Sequence, residues 1–515
     1  HEYKLSQKNS SWGYQLTLTD NSKTFDYQGN ALGSAQFQVK SYRQAPDGTT
    51  PQPIPWKISK YEEFDYATNS WVDKGTTKPA WLGDLTDHGN GGTAAEVGNT
   101  AVKTASVTDK LAAYNQVLKD ATPKGTAANP YNLANPGGNG QVGIIEESAN
   151  CYLISAPGYY CIPLVYGNAI KGGTTNSHAY QTSNSGAYIL QHFKDHAGQD
   201  ISSPYINVQN ASDPATQASI VWTDQSGIIE ASSLGIEDVG TNAFVRFRVP
   251  QDKIKNGNAV IAVKNALGTV MWSWHLWFDH SDVLNTVDCT NYTGYHYKFT
   301  KQTLGLAYRK WEASTYDKPR VARVKVEQTI ANGGTKRYAY IDITQNPGSV
   351  KEISSTFYQF GRKDAFPGTD TTPDGSFTSN GGDNMSVTNG IQHPEIFYTG
   401  GSSWDNGYNQ YNLWSMDNTT GGHNDKPVVK TIYDPCPAGF HMPASNAFTG
   451  FTTTGQSTST QSQFNVSGAW DYGWNFKNKI TSPDAAVYFP ASGYRNLHDG
   501  SLYYVGNLGY YWSAV

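Results

Sequence analysis

Charged residues are scarce in this chain and nowhere concentrated. Asp, Glu, Lys and Arg make up 16% of its 515 residues, and the formal net charge is −5. A nucleic-acid-binding surface needs clustered Lys and Arg to neutralise phosphates, so the even spread of charge argues against one. No apolar run reaches the roughly 20 residues that a membrane-spanning helix requires, so we predict no transmembrane segment.

Cysteine is also scarce, with four residues at positions 151, 161, 289 and 436. They are too few and too scattered for a scaffold held together by disulfides. Cys151 and Cys161 flank a turn, and if a hairpin closes there they take diagonal positions about 7 Å apart, too far for easy bridging. We therefore predict buried free thiols rather than a disulfide.

Windows rich in Ala, Leu, Glu and Lys are almost absent, which argues against a helical protein. Aromatic and turn-forming residues are abundant instead, with 34 Tyr and 51 Gly. Because each aromatic ring buries a large area, a chain of modest hydrophobic content can still build cores. Abundant Gly, Asn, Ser and Thr favour turn-rich antiparallel β-structure.

The chain is too long for one hydrophobic core, and its composition divides it into four regions. We predict a first β-sandwich at 1–121. The polar, Pro- and Gly-rich stretch 122–140 predicts an inter-domain linker. Seven short strands predict a second β-sandwich at 141–285. The last region, 286–515, is predicted to begin with a β-hairpin and to continue as a loop-rich module.

Local patterns predict particular elements within these regions. Apolar residues three to four apart predict a helix at 107–118. Two alternating runs, 321–328 and 338–345, predict a hairpin. In 269–278 both faces carry aromatics, so we predict a central strand covered on both sides and place its Trp residues in the core rather than on a glycan-stacking surface. The strands predicted for the second sandwich are 151–155, 159–165, 220–223, 228–232, 244–249, 260–264 and 269–278.

Several motifs occur in the same order as in a known family. They are ANCYLISAPGYY at 149–160, PLVYGNAI at 163–170, FRVP at 247–250, NAVIA at 258–262 and MWSWH at 271–275. With these motifs the second region resembles the fimbrillin family of Bacteroidales. The first region, with VKSY at 39–42 and KPAWL at 78–82, is similar to the N-terminal domain of the same proteins.

The last region combines Gly, Pro and aromatic residues in a second set of motifs. They are FYQFGRKDAFPG at 357–368, NLWS at 412–415, PVVKTIYDPC at 427–436 and the stretch AVYFPASGYRNLHDGSLYYVGNLGYYWSAV at 486–515. This region resembles the C-type-lectin-like module of Bacteroidales surface proteins that is often labelled a major paralogous domain.

The two resemblances together imply a fold and a location. The fold is mainly β, with two immunoglobulin/transthyretin-like β-sandwiches followed by a C-type-lectin-like α+β module. The family implies exported, usually lipid-anchored precursors on the outer membrane, many of which assemble into pili by donating a strand between subunits. Family modules run two strands past the Tyr-Trp-Ser-Ala run, whereas this sequence stops at Val515; truncation, missing residues and a strand supplied in trans all stay open. Whether an export signal or a lipid-bearing cysteine lies upstream is equally open.

Motifs for catalysis are weak or missing. No Gly-x-Ser-x-Gly elbow or phosphate-binding loop is present. His192 and His196 have the spacing of zinc ligands on a helix, but Phe193 stands where a metalloprotease has Glu, so we interpret them as ordinary exposed histidines. A pair of glycosidase carboxylates can come from anywhere in a sequence, so a glycoside hydrolase stays a distant alternative.

Two sets of residues could stack on and hydrogen-bond a sugar. The first is a glycine- and asparagine-rich loop that we predict to be the ligand-binding site: Trp404, Asp405, Asn406, Tyr408, Tyr411 and Trp414. A second set is interpreted as core filling rather than as a site: Tyr494, Arg495, His498, Tyr503 and Tyr504. We predict no cofactor, although the acidic loops at 369–407, with Asp370, Asp374, Asp383 and Asp405, leave a structural cation open.

These observations favour a non-enzymatic cell-surface adhesin, a fimbrial tip or accessory subunit that recognises a glycan or protein ligand. The expected partners are other fimbrial subunits, joined by strand donation, and the ligand at the C-terminal region. The alternative is a lipid-anchored surface lipoprotein that binds glycan for nutrient capture. Fold analogy alone does not decide between them.

Overall fold

The computed structural model describes residues 11–48, 50–400 and 410–514. The protein is mainly β, with 37% of residues in strands and 8% in helices, arranged in several sheets. Contacts between residues divide the chain into two compact units. The first holds the N-terminal part up to Lys110 together with Glu312–Val350, and the second holds Leu111–Trp311 together with the chain from Lys351 onward.

The strands and helices follow one another in this order. The first strands are β1 Gly13–Thr19, β2 Ser22–Phe25, β3 Gln36–Gln44, β4 Pro51–Pro53, β5 Trp56–Asp65, β6 Ser70–Gly75, β7 His88–Gly89, β8 Gly92–Asn99 and β9 Val107–Asp109. Next come α1 Lys110–Asp120, β10 Tyr131–Asn132, β11 Cys151–Ile154, β12 Gly158–Pro163, β13 Ile170–Lys171, β14 Thr174–Thr175, α2 Ile206–Gln209, β15 Gln217–Thr223, β16 Gly235–Glu237, β17 Phe244–Val249, β18 Gly257–Lys264 and β19 Val270–Phe278.

The remaining elements are β20 Thr286–Thr290, β21 His296–Thr300, β22 Ala307–Ser314, β23 Arg320–Gln328, β24 Tyr338–Gln345, β25 Ser349–Ser354, β26 Asp374–Gly375, α3 Val387–Gln392, β27 Val466–Ser467, β28 Gly473–Lys477, β29 Ala486–Pro490, β30 Tyr494–Arg495 and β31 Leu502–Tyr503. Short 3-10 turns lie at Ser177–Ala179, Ala231–Ser233, Gly240–Asn242, Ser445–Phe451 and Gln461–Gln463. No helix in the described ranges is long and apolar enough to cross a membrane. The helix predicted at 107–118 is confirmed as α1, but it begins at Lys110 because Val107–Asp109 forms β9; its one buried residue is Leu118.

Two sheets form the first unit. One has the order β1-β3-β4 with β8 also on β3, and the other has the order β2-β24-β23-β5-β6 with β7 also on β5. Burial alternates along β3 and along β23, so each strand turns one face inward. The shared core contains side chains from both sheets: Phe37, Val39, Trp56, Val324, Val326 and Ile341.

The predicted hairpin is confirmed as β23 and β24, but it belongs to the first unit. β23 pairs antiparallel with β5, and β24 pairs parallel with β2. The structure therefore divides the chain differently from the predicted 1–121 and 286–515 regions. The reason is physical, since alternation along a strand shows that it has one buried face but not which distant strand it will pair with.

Two further sheets and the C-terminal part share one core in the second unit. The sheets have the orders β10-β12-β17-β16 and β11-β19-β18-β15-β26. Every residue of β19 is buried, so the predicted strand with two covered faces is confirmed. The core joins residues of the predicted second sandwich with residues of the predicted final module, among them Trp272, Trp274, Leu413, Trp414 and Ile432.

Two predicted features of this part of the chain are corrected. The stretch 122–140 is not a free linker, because its strand β10 pairs with β12 and Asn132, Ala134 and Asn135 are buried. The predicted strand at 228–232 is instead buried irregular chain that leads into a 3-10 turn, Ala231–Ser233. In both places the local composition, Gly and Pro in one and Ile in the other, was outweighed by tertiary packing.

The cysteines are free and buried, as predicted. Cys151 lies in β11 and Cys161 in β12, and these strands belong to different sheets, so the turn between them does not close a hairpin. Burial raises the pKa of Cys161 to about 12. A thiol with so high a pKa is a poor nucleophile at neutral pH.

Candidate ligand-binding cleft

The predicted site loop is only partly described. Trp404, Asp405, Asn406 and Tyr408 lie outside the described residues. Trp414 is fully buried, and its indole Nε1 donates to the carbonyl oxygen of Arg362 at 3.2 Å. Tyr411 is half-buried and packs on Tyr188, with ring centroids 5.1 Å apart. Trp414 is therefore a core residue in this structure, and its ring offers no free face to a ligand.

A buried group of charged residues lies beside Trp414. Lys363 Nζ is 2.7 Å from Asp364 Oδ1, and Ser273 of β19 donates to the same carboxylate at 3.0 Å. Arg362 donates to Asp364 Oδ2 at 3.0 Å and to three backbone carbonyls. Burial alone would raise the pKa of Asp364, but Lys363 and Arg362 hold it below its ordinary value. These side chains are 2–3% exposed, so they join β19 to the C-terminal part rather than meet a substrate.

The second unit contains a cleft of about 1090 Å³. Its lining is mainly apolar and aromatic, and it comes from stretches far apart in the sequence: 284–304, 355–359, 425–448 and 489–512. Phe299 lines it and packs against Phe448 and Phe489, at 5.6 and 6.0 Å between ring centroids. A volume of this size exceeds the ~300–1,000 Å³ typical of small-molecule sites, so the cleft has room for an extended ligand.

Strand β21 runs along the cleft. All residues from Tyr295 to Thr300 line it. β21 pairs with β20 on one side, and no described strand pairs with its other edge. Tyr297 and Phe299 are half-buried, whereas His296 and Lys298 are exposed, as the alternation of a strand requires.

Trp512 is exposed in the cleft, and contacts with buried residues hold its ring in place. Its Nε1 donates to the carbonyl oxygen of Tyr358 at 2.8 Å, which fixes the ring. Trp414 packs edge-on against it, with centroids 6.2 Å apart. Trp512 is still 44% exposed. The buried Trp414 thus supports a neighbour that faces the cleft.

The second set of candidate residues divides into an exposed and a buried part. The Tyr494 ring, which lines the cleft, stacks on Tyr503 at 5.9 Å and meets Tyr510 edge-on at 5.0 Å. Tyr503 and Tyr504 are 41% and 53% exposed, so these two are not core residues, contrary to the interpretation from sequence. Tyr510, which the sequence did not single out, is 62% exposed. We call Tyr494, Tyr503, Tyr504 and Tyr510 the tyrosine cluster.

Arg495, by contrast, is a buried structural residue, as the sequence predicted. Its guanidinium donates to the carbonyl oxygens of Pro367, Thr369 and Gly500 at 2.7–2.9 Å. Burial lowers its pKa to about 10. These bonds go to loop carbonyls, so Arg495 fixes the turn that lies between Tyr494 and Tyr503 of the tyrosine cluster. His498 lies in that turn and is exposed.

Asp425 is the one carboxylate among the described residues that line the cleft, and its oxygens already accept hydrogen bonds. Asp425 accepts hydrogen bonds from Asn291 at 2.8 Å and Asn446 at 3.0 Å, and also from the Tyr297 hydroxyl. The described lining also carries the basic side chains of His296, Lys298, Lys426, His441 and Arg495. The described lining residues therefore carry more basic than acidic side chains, and they include one carboxylate where glycoside hydrolysis requires two.

The acidic loops do not assemble a cation site from the residues that the structure describes. Asp374 accepts from Thr223 Oγ1 at 3.0 Å and from the Gly227 amide at 2.7 Å. Asp370 faces Arg495 at 3.8 Å. No group of three or more His, Cys, Asp or Glu suited to a metal ion occurs within the described ranges, and Asp405 lies outside them.

Sequence reasoning missed the cleft itself. Its exposed aromatics include Tyr295, Tyr510 and Trp512, none of which was a candidate. The sequence gives no spacing signal for them, because Tyr510, Tyr511 and Trp512 are consecutive aromatic residues. Only the structure shows that Tyr510 and Trp512 are exposed while Tyr511 between them is half-buried.

Comparisons with known proteins do not assign the chain to a family. No protein-family model matches the chain, and no curated protein matches it significantly. The resemblance to fimbrillins and to the lectin-like module therefore rests on the sequence motifs alone.

Proposed function

We propose that this chain is a non-enzymatic recognition protein, a cell-surface adhesin, that binds an extended glycan or protein ligand in the cleft of its second unit. The observation that supports this most is the lining: many aromatic side chains around about 1090 Å³, with one carboxylate that is already hydrogen-bonded. Aromatic faces and a few polar groups suit binding. The described lining residues do not supply the paired acid and base of a hydrolase.

The buried charged group beside Trp414 also favours binding over catalysis. Ser273, Lys363 and Asp364 are the residue types of a nucleophilic centre, but all three are at most 3% exposed. A nucleophile must reach a substrate atom, and these side chains are enclosed by protein.

The biological setting of the proposal comes from the sequence motifs. They support a fimbrial tip or accessory subunit at the outer membrane, with two β-sandwiches carrying a C-type-lectin-like module and with strand donation to other subunits. The second candidate is a lipid-anchored lipoprotein that captures glycan. Isolated pili probed with an antibody to this chain separate the two, since a pilus subunit co-purifies with pili and a lipoprotein is recovered as a free membrane-anchored monomer.

The binding proposal is tested with the full chain on an array of glycans and extended peptides. Trp512→Ala should weaken binding at least about tenfold, because it removes a ring that is 44% exposed in the cleft. Trp470→Ala is the matched control, since Trp470 is 42% exposed and lies outside the cleft lining. Equal binding by both variants, or turnover of any array component, would refute the proposal.

A further inference from the structure

We propose that the cleft selects glycans that carry carboxylate groups, such as sialic or uronic acids. This inference rests on the proposed binding function and adds the chemical class of the ligand. Three features of the cleft support it: the sign of its charge, its exposed aromatic surface and the chemistry of its open strand edge.

The charge of the cleft complements an anion. His296 and Lys298 lie on β21, Lys426 and His441 line the cleft from the C-terminal part, and all four are exposed. Lys426 makes no ion pair with a described residue. Lys298 meets Asp288 at 3.5 Å, but both side chains are more than two-thirds exposed, so this pair is weak and Lys298 can turn to a ligand.

Asp425, the one acid among the described lining residues, keeps its negative charge but is outnumbered by the exposed Lys298 and Lys426. Asp425 is partly buried and its two oxygens accept from Asn291, Asn446 and Tyr297. A carboxylate entering the cleft meets basic side chains that can form charge-assisted hydrogen bonds with it. It meets no free carboxylate among the described lining residues.

The aromatic surface suits sugar rings. Trp512 and Tyr510 are exposed within the cleft, and Tyr503 and Tyr504 continue the exposed surface beyond it. An aromatic face packs on the C–H face of a sugar, and a tyrosine hydroxyl can bond sugar hydroxyls at its rim. The length of this surface favours an oligosaccharide over a single sugar.

The edge of β21 argues for a glycan over a peptide strand. A free strand edge can pair with an added strand, but exposed charged side chains, Lys above all, are the usual protection against such pairing. β21 presents His296 and Lys298 on this short edge. An acidic peptide is therefore the competing occupant, and the experiment includes it.

The test compares matched acidic and neutral probes by titration calorimetry with the full chain. Sialyl-lactose is compared with lactose, and oligogalacturonate with its methyl ester, so the two pairs distinguish sialic from uronic acids. The acidic member of at least one pair should bind about tenfold or more tightly. The double variant Lys298→Gln/Lys426→Gln should remove most of that difference while neutral binding stays. Lys171→Gln, at an exposed lysine outside the cleft, is the control.

The outcomes separate this inference from the proposed function. Equal binding of acidic and neutral probes, lost in Trp512→Ala, would refute the charge selection and keep the glycan cleft. Binding of an acidic peptide without any glycan would refute this inference and leave a recognition cleft for protein. Acidic binding that Trp512→Ala and the double lysine variant leave unchanged would refute both.

Discussion

β19 and the C-terminal stretch from Tyr494 to Trp512 are both dense in aromatic residues, yet they have opposite environments. Every residue of β19 is buried. In the C-terminal stretch Tyr503, Tyr504, Tyr510 and Trp512 are all more than 40% exposed. The difference lies in what covers them, since β19 has β11 and β18 at its edges and packed side chains on both faces. Aromatic density therefore signals either a core or a binding surface, and only the surrounding layers decide which.

The largest expected effect tests the buried half of this comparison. Trp272 is fully buried, and its Nε1 donates to Asn150 Oδ1 at 3.1 Å. Trp272→Ala should lower the free energy of unfolding by about 3–5 kcal/mol, because it leaves a cavity and an unpaired amide oxygen. Denaturant unfolding measures this. A loss below about 1 kcal/mol would show that β19 is not the centre of this core.

The second prediction concerns the protonation of Asp279, the residue that directly follows β19. Asp279 is fully buried next to Phe278, and one of its oxygens has no hydrogen-bond partner. Burial raises its pKa from 3.8 to about 7, against the hydrogen bonds from Tyr114 and the His280 amide. The folded state thus holds a proton that the unfolded state has lost, so stability should fall as pH rises from about 4 to about 7.

Asp279→Asn should remove this pH dependence. The shift of about three pKa units corresponds to a stability difference on the order of 4 kcal/mol at pH 8, with the variant more stable. Thermal unfolding at pH 4 and pH 8 measures it. Asp252→Asn, at an exposed carboxylate, is the control, and a variant whose stability still falls with pH like that of the parent would contradict the assignment to Asp279.

The smallest expected effect tests the exposed half of the comparison. Tyr510→Ala should change the free energy of unfolding by less than about 1 kcal/mol, because Tyr510 is 62% exposed and leaves no enclosed cavity. The same change should weaken ligand binding. A stability loss as large as that of Trp272→Ala would mean that the tyrosine cluster is part of the core after all.

Sequence reasoning succeeded where local pattern decides the outcome. The hairpin β23–β24, the helix α1 and the doubly covered β19 all follow from the spacing of apolar residues. It failed where contacts with a distant segment decide whether a residue is buried. The neighbours of Trp414 suggested an exposed loop, but Arg362 and Trp512 cover the ring, and no sequence spacing reveals them.

The same limit explains the tyrosine cluster and the stretch 122–140. Tyr503 and Tyr504 are aromatic residues of the kind that fill cores, but no described element covers them. Residues 122–140 have the composition of a linker, yet β10 completes an edge of a sheet. Propensity describes what a segment tolerates, and its burial is set by the elements that pack on it.

The place of β23 and β24 in the first unit has a consequence for how the chain is made. These strands fill the sheet between β5 and β2, but more than 250 residues separate β5 from β23 along the chain. A chain emerging from the ribosome displays the edges of β5 and β2 unpaired until residue 345 is available. The first unit therefore cannot close until the chain up to residue 345 has been made, and such long-range closure is slow. Until then, we expect a chaperone that shields open strand edges to bind at β5 and β2.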